Sequence, residues 1–119
     1  MKSVGIIAEY NPFHNGHAYQ LQKAKEASGA DFAVAVMSGD FVQRGEPAMF
    51  EKRLRAKWAL ENGADMVITL PTPFALASAE AFALGGVTLL SRSGIADSIA
   101  FGSECGDTRI LCRAADVLN

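Results

Sequence analysis

Cysteine is scarce in this chain, which has two among its 119 residues, Cys105 and Cys112. Two thiols cannot build the disulfide framework on which small secreted domains depend, and no stretch reads as a secretory signal. The apolar runs are also too short to span a bilayer, which takes about 20 residues in a helix. We therefore expect a protein of the reducing cytoplasm with no membrane partner, and we interpret both cysteines as inert structural thiols.

The chain also lacks an excess of either charge. Its 11 lysines and arginines stand against 13 aspartates and glutamates, for a net charge of -2 at pH 7. This balance argues against a strongly basic nucleic-acid-binding surface, although it leaves room for a local basic patch. The length suits one domain spanning 1–119. Because residues 114–119 still carry a helical pattern, we expect that domain to be the N-terminal part of a longer protein, truncated at its C-terminus.

Compact apolar runs, typical of buried parallel strands, alternate along the chain with segments that have helical spacing. Such alternation predicts an α/β fold, namely a Rossmann-like parallel sheet with alternating helices. Gly85 and Gly86 weaken one predicted helix, because glycine costs about 1 kcal/mol relative to alanine in a helix. The predicted strands cover 4–9, 32–37, 66–70 and 98–101, and the predicted helices cover 16–27, 49–61, 78–91 and a last segment capped by Asp107.

In the second predicted helix, Phe50, Leu54 and Trp58 recur every four residues and so share one face. We expect this face to turn toward the core, with Trp58 inside it. The charged residues are then expected on a solvated face, and an RNA-contacting role is the less favoured interpretation for them. They are Glu51, Lys52, Arg53, Arg55 and Lys57.

Ligands of open parallel sheets bind beyond the carboxyl ends of the strands. Three polar, glycine-containing stretches fall at such ends, at 10–17, 38–46 and 102–107. In the last of them, Gly102 would let adenine or ribose lie against the chain, unless it only completes a turn. These three stretches are therefore the predicted ligand-binding edge of the sheet.

The first stretch carries His14 and His17 at the start of a predicted helix, with Gly16 between them. Free N–H groups at a helix N-terminus favour anions, and glycine lets a ligand approach the backbone closely. Two imidazoles at this position can donate hydrogen bonds to phosphate oxygens and stabilise charge that develops there. The pattern predicts a nucleotide site with His14 and His17 as its catalytic residues.

Plainer interpretations stand beside this one. The two histidines could only cap the helix or face solvent, although a pair flanking Asn15 and Gly16 favours function. A metal pair is less favoured, because no third ligand stands at an obvious spacing. Pro12 could simply shape the turn, and Phe13 could plug the core as well as wall the pocket.

The second stretch is either a solvated loop or part of the site. As part of the site, Arg44 could pair with a phosphate or with a small carboxylate such as acetate. Asp40 could help to hold a divalent metal on a triphosphate, because hard cations prefer oxygen ligands. Gln43 and Glu46 share the same two interpretations.

The stretch from His14 to His17 resembles the His-x-Gly-His signature of the nucleotidylyltransferase superfamily, in which the motif holds the triphosphate of ATP or CTP. A closer resemblance extends over 7–17, 37–48 and 101–104, which look like the tRNA(Met) cytidine acetate ligase family. The resemblance runs through essentially the whole chain.

This resemblance implies an ATP-dependent ligase. It would activate acetate as acetyl-adenylate and transfer the acetyl group to the wobble cytidine of elongator tRNA(Met), giving N-acetylcytidine. The implied partners are ATP with Mg²⁺, acetate and this tRNA. The implied ATP-binding residues are Ile7, Ala8, Glu9, Tyr10, Asn11, Pro12, Phe13, His14, Asn15, Gly16, His17, Ala18, Tyr19, Gln20 and Gly102.

Two other functions stay open at this point. The motif would equally serve a nucleotidylyltransferase that joins ATP or CTP to a small phosphate ester. Alternatively, the chain could be an ATP-binding module without turnover, since the family is much longer than 119 residues. Its further ATP contacts and its tRNA-binding surface would then lie beyond Asn119.

Overall fold

One parallel sheet with helices packed on both faces organises residues 1–118, which are the residues that this computed structural model describes. The strands are β1 (Ser3–Ala8), β2 (Phe32–Ser38), β3 (Met66–Leu70) and β4 (Ser98–Ile99). The helices are α1 (Asn15–Ser28), α2 (Lys52–Glu61), α3 (Thr72–Ala75), α4 (Ala79–Ser93) and α5 (Thr108–Leu118).

The strand order is β3-β2-β1-β4, and every pair is parallel. The chain moves outward from β1 to β3 and then returns to place β4 on the other side of β1. Such a reversal opens a crevice at the carboxyl ends of the strands, where α/β proteins bind ligands. The predicted α/β Rossmann-like fold is confirmed, and β1 lies at its switch point.

The core has two layers because alternate residues of a strand point to opposite faces of the sheet. Val4 and Ile6 of β1 pack with Leu21 of α1 and Ala59 of α2 on one face. The other face is covered by α3 and α4, whose Ala75, Phe82 and Leu90 pack with alternate residues of β2. Both faces of the sheet are therefore buried, which accounts for the continuous apolar runs of β1 and β2.

The two glycines inside α4 do not break it, because they bring the helix close to its neighbours. A Cβ at Gly86 would lie 2.7 Å from the end of the Ile7 side chain, and one at Gly85 would lie 2.7 Å from the Phe74 ring. The prediction of this helix is confirmed, and close packing offsets the weak helix propensity of glycine.

The predicted orientation of α2 is wrong. The helix begins at Lys52, and Phe50 precedes it with 40% of its surface exposed. Trp58 is half-buried and packs edge-to-face on Phe50 at 5.2 Å. The buried residues of the helix are Arg55 and Ala59, because the sheet meets the helix on the side of Arg55.

Neither cysteine is buried in the core. Cys105 and Cys112 are both free and exposed, which gives no support to the interpretation of both as structural thiols. Within residues 1–118, no helix combines the length and the apolar character that crossing a membrane requires.

Candidate functional site

A tight turn joins β1 to α1 and carries the two histidines. Tyr10 adopts a positive φ of 49°, the peptide between Asn11 and Pro12 is cis, and His14 is extended at φ -143°. His14 is thereby the N-cap of α1, which begins at Asn15. The turn folds as the sequence predicts, with the histidines at the helix N-terminus.

The two imidazoles are held by backbone amides at their Nδ1 atoms. The Gly16 N–H donates to Nδ1 of His14 at 3.1 Å, and the His14 N–H donates to Nδ1 of His17 at 3.2 Å. An accepting Nδ1 carries no proton, so the proton of each neutral ring resides on Nε2. The capping interaction therefore leaves two Nε2–H donors for a ligand.

The imidazole rings of His14 and His17 stack, with centroids 3.7 Å apart and planes 22° from parallel. Burial lowers the pKa of His17 below its usual value, and the neighbouring charge of His14 lowers it further. Two stacked imidazolium ions would repel each other, and each would lose its bond from a backbone amide. Both effects favour the neutral form of His17.

This arrangement predicts that stability falls on mild acidification. Because folding holds the pKa of His17 below the 6.5 of a free histidine, the unfolded chain takes up this proton first as the pH falls. The contribution of His17 to the free energy of unfolding should be complete above pH 6.5. It should be lost as the pH falls from 6.5 through the lower pKa that His17 has in the folded chain. Urea midpoints measured between about pH 7.5 and about pH 5.5 would show this decrease.

The matched variant for this measurement is His17→Asn, whose amide oxygen can replace Nδ1 as the acceptor of the His14 N–H but does not titrate. The acid-induced decrease should be smaller in His17→Asn than in the parent chain. A decrease of the same size in both would exclude His17 as its source.

Two aromatic rings, those of Tyr10 and Phe13, pack against His17. Tyr10 is 1% exposed and meets Phe13 and His17 edge-on, with centroids 4.8 Å and 4.9 Å away. Burial raises the pKa of Tyr10 to about 12, so the phenol stays neutral. Phe13 packs against the same core cluster, which favours its interpretation as a core residue.

The first cleft, of about 620 Å³, lies between the β1–α1 turn and the loop after β2. It brings together most of the residues that the resemblance implied for ATP. It also includes residues of the loop after β2, for which the sequence left open whether it is solvated or part of the site. Its lining is Ile7, Ala8, Glu9, Tyr10, Asn11, Pro12, His14, His17, Gln20, Val42, Gln43, Arg44 and Glu46.

Two side chains of the β1–α1 turn fasten the loop after β2 across this cleft. The Gln43 N–H donates to Glu9 Oε2 at 3.0 Å, and the Met49 N–H donates to Asn11 Oδ1 at 2.7 Å. Arg44, at the tip of the loop, has a positive φ of 66° and an exposed side chain. The loop therefore forms one wall of the cleft. The sequence alone did not decide between this position and a solvated loop.

Arg55 is the residue that sequence reasoning missed, since the charges around it predict a solvated face. It is 0% exposed, and its guanidinium donates to the backbone carbonyls of Phe50 at 2.9 Å, of Glu9 at 2.7 Å and of Gly39. Burial lowers the pKa of this guanidinium, and Asp40 and Glu9 partly offset that effect. Arg55 thereby ties the ends of β1 and β2 to the start of α2.

The second cleft, of about 590 Å³, lies on the other side of the histidines, between α1 and the segment after β4. Gly102, which the resemblance implies for ATP, lines this cleft, and so does Phe101, an aromatic neighbour that the sequence could have suggested. The full lining is His14, Gly16, His17, Tyr19, Gln20, Lys23, Ala24, Ala27, Ala100, Phe101 and Gly102. The two clefts share the histidine pair and Gln20.

The remaining predicted residues lie outside these two clefts. Phe13 and Asn15 line a third cleft of about 360 Å³ beside Phe50 and Trp58, and Ala18 lines none of the three. Asp40 also lines none of them, and its carboxylate is 3.5 Å from the ammonium of Lys52.

Larger clusters of metal-ligating side chains are absent from the described part of the chain. No group of three or more His, Cys, Asp or Glu side chains within 1–118 could hold a metal ion. A role of Asp40 in helping to hold a divalent metal on a triphosphate stays a prediction.

The profile of the family described as HIGH Nucleotidyl Transferase matches residues 1–119. The chain belongs to this family. Membership agrees with the sequence resemblance to the nucleotidylyltransferase superfamily, and it accounts for the histidine pair at the N-terminus of α1.

The family relatives include proteins named tRNA(Met) cytidine acetate ligase, which confirms the closer resemblance seen in the sequence. The one from Acetivibrio thermocellus is 58% identical over 118 residues, which are 99% of this chain and 28% of the relative. The one from Leuconostoc mesenteroides is 62% identical over 104 residues, which are 87% of this chain and 26% of the relative. The chain thus spans little more than a quarter of the length of these relatives.

A solved structure of the family shares the fold closely. It is the crystal structure of Thermotoga maritima TmcAL bound with alpha-thio ATP, with a TM-score of 0.92 and 48% identity. The match covers 99% of this chain and 28% of that one. The matched portion of a nucleotide-bound relative therefore has the same fold as this chain.

Proposed function

We propose that this chain binds ATP at the N-terminus of α1. The observation that carries the proposal is the pair of imidazoles whose Nδ1 atoms accept from backbone amides at 3.1 Å and 3.2 Å, because it leaves both Nε2–H groups as donors. Free N–H groups of the first helical turn add to the attraction for phosphate. The contacts proposed for ATP are those of residues 7–20 together with Gly102.

We further propose that this chain serves the ligation of acetate to a cytidine of tRNA(Met), the reaction that the relatives' name gives, and that this cytidine is the wobble base of elongator tRNA(Met). An acetate oxygen attacks the α-phosphorus of ATP, and the bond to pyrophosphate breaks. His14 and His17 stabilise the charge that develops on the phosphate oxygens. The acetyl-adenylate then passes its acetyl group to cytidine, giving N-acetylcytidine. Arg44 at the mouth of the first cleft is the proposed partner of the acetate carboxylate.

Mg²⁺ is proposed to enter with ATP, held by phosphate oxygens and water. This ion commonly binds through substrate phosphates and few protein ligands, and no three-residue metal cluster is present within 1–118. The chain's own residues position the nucleotide, and the ion supplies charge neutralisation when it is bound.

Pyrophosphate exchange tests the reaction. In the full-length Acetivibrio thermocellus relative, we expect labelled pyrophosphate to enter ATP only when acetate is present. Equal exchange without acetate would contradict acetate activation and favour transfer to a phosphate ester.

Calorimetry with this chain tests whether it binds ATP. ATP binding without turnover would identify it as a binding module, whereas absence of ATP binding would refute the proposed site.

A further inference from the structure

Among the residues proposed to contact ATP, Glu9 brings to the first cleft a carboxylate that the phosphates of ATP do not need. Glu9 follows β1 directly and lines the cleft together with Gln43. Its carbonyl accepts from Arg55 Nη1 at 2.7 Å, and its Oε2 accepts from the Gln43 N–H at 3.0 Å. Both its backbone and its side chain are therefore fixed before any ligand arrives.

The second oxygen of this carboxylate is free for a ligand. Among the residues that the structure describes, Oε2 alone of the two Glu9 oxygens accepts a hydrogen bond. An ionised carboxylate only accepts, so it repels phosphate oxygens and attracts N–H donors. The ligand group that fits beside Glu9 is therefore a hydrogen-bond donor, and an exocyclic amine is such a group.

We propose that Glu9 receives the exocyclic amine of the acceptor cytosine in the first cleft. This inference rests on the proposed acetyl transfer, in which that amine is the nucleophile. Carboxylates accept hydrogen bonds from cytosine N4. Uracil carries a carbonyl oxygen at the same ring position, and that oxygen would face the Glu9 carboxylate with like partial charge. Glu9 thus selects cytosine over uracil and orients N4.

The same contact serves the transfer step. The N4 lone pair attacks the carbonyl carbon of acetyl-adenylate, and the carbon–oxygen bond to AMP breaks, so AMP leaves with that electron pair. The proton lost by N4 passes to the Glu9 carboxylate and from there to water, which regenerates the carboxylate. Atoms and charges balance without a further reactant. A positioned carboxylate in this role is a general base.

The test measures base preference. Nuclear magnetic resonance titration of this chain with cytidine and with uridine should show binding of cytidine that is about tenfold tighter. In Glu9→Gln the preference should disappear, because the amide can turn either its oxygen or its NH₂ toward the base. In Glu9→Asp a weaker preference for cytidine should remain. Glu51→Gln, which removes an exposed carboxylate outside the cleft, should keep the parent ratio.

Equal affinity of the parent chain for the two nucleosides would overturn the inference. So would an unchanged preference in Glu9→Gln, since that result would show that the carboxylate does not select the base. Calorimetry of the parent chain with ATP tests the proposed ATP site separately, and acetate-dependent pyrophosphate exchange tests the proposed reaction. The amide spectrum of each variant shows whether it is folded.

Discussion

The His17→Asn variant should bind ATP about ten- to a hundredfold more weakly than the parent chain. In the parent chain the N–H of His14 donates to Nδ1 of His17 at 3.2 Å. The asparagine oxygen can accept the same N–H, so the cap of α1 is kept. The Nε2–H donor is lost, and a hydrogen bond to a charged group contributes about 1.5–3 kcal/mol. Adenosine, which has no phosphate, should bind nearly as well as before.

Calorimetric titrations with ATP and adenosine check this result in both chains. His17→Ala is the companion variant, because it removes the donor and the cap acceptor together. It should show the same loss of ATP affinity and an added destabilisation of about 0.5–2 kcal/mol, as for other lost caps. A parallel loss of adenosine and ATP affinity in His17→Asn would contradict a phosphate contact.

The Arg55→Met variant should lose about 3–5 kcal/mol of stability, a large part of what a domain of this size has. The methionine fills a similar volume but leaves the buried carbonyl of Gly39 and the partly buried carbonyls of Glu9 and Phe50 without their donor. Each buried polar group left unpaired costs about 1–3 kcal/mol. Urea unfolding followed by circular dichroism gives the free energy of unfolding.

Arg53→Met is the matched control, because Arg53 is exposed on the same helix. Its stability should stay within about 0.5 kcal/mol of the parent chain. Arg55→Lys should lie between the two, since an ammonium keeps the charge but lacks the planar fork that reaches three carbonyls. A small effect of Arg55→Met would show that the ends of β1 and β2 hold together without it.

The elements of the fold follow from local pattern, and their arrangement does not. Buried strands are legible as apolar runs because both faces of β1 and β2 are covered. The predicted β4, at 98–101, is longer than the observed Ser98–Ile99, because the sheet pairs only two residues there. The short helix α3 was missed, since Pro71 and Pro73 indicate a turn and carry no helical periodicity.

The candidate site likewise combines contacts between near neighbours in the sequence with contacts between distant segments. The histidine turn is local, because the capping contacts join residues two or three positions apart. The wall of the first cleft is not local, because Glu9 and Asn11 bind residues 34 and 38 positions away. No periodicity in the sequence can show such contacts.

The sequence by itself therefore determined the alternation of strands and helices and the position of His14 and His17 at a helix start, since both depend on neighbouring residues. Tertiary structure alone decided that Arg55 is buried. A charged residue within a charged helix face is normally solvated, and it was the three carbonyls converging from separate segments that made its burial favourable. The same convergence joins the loop after β2 to the histidine turn and completes the first cleft.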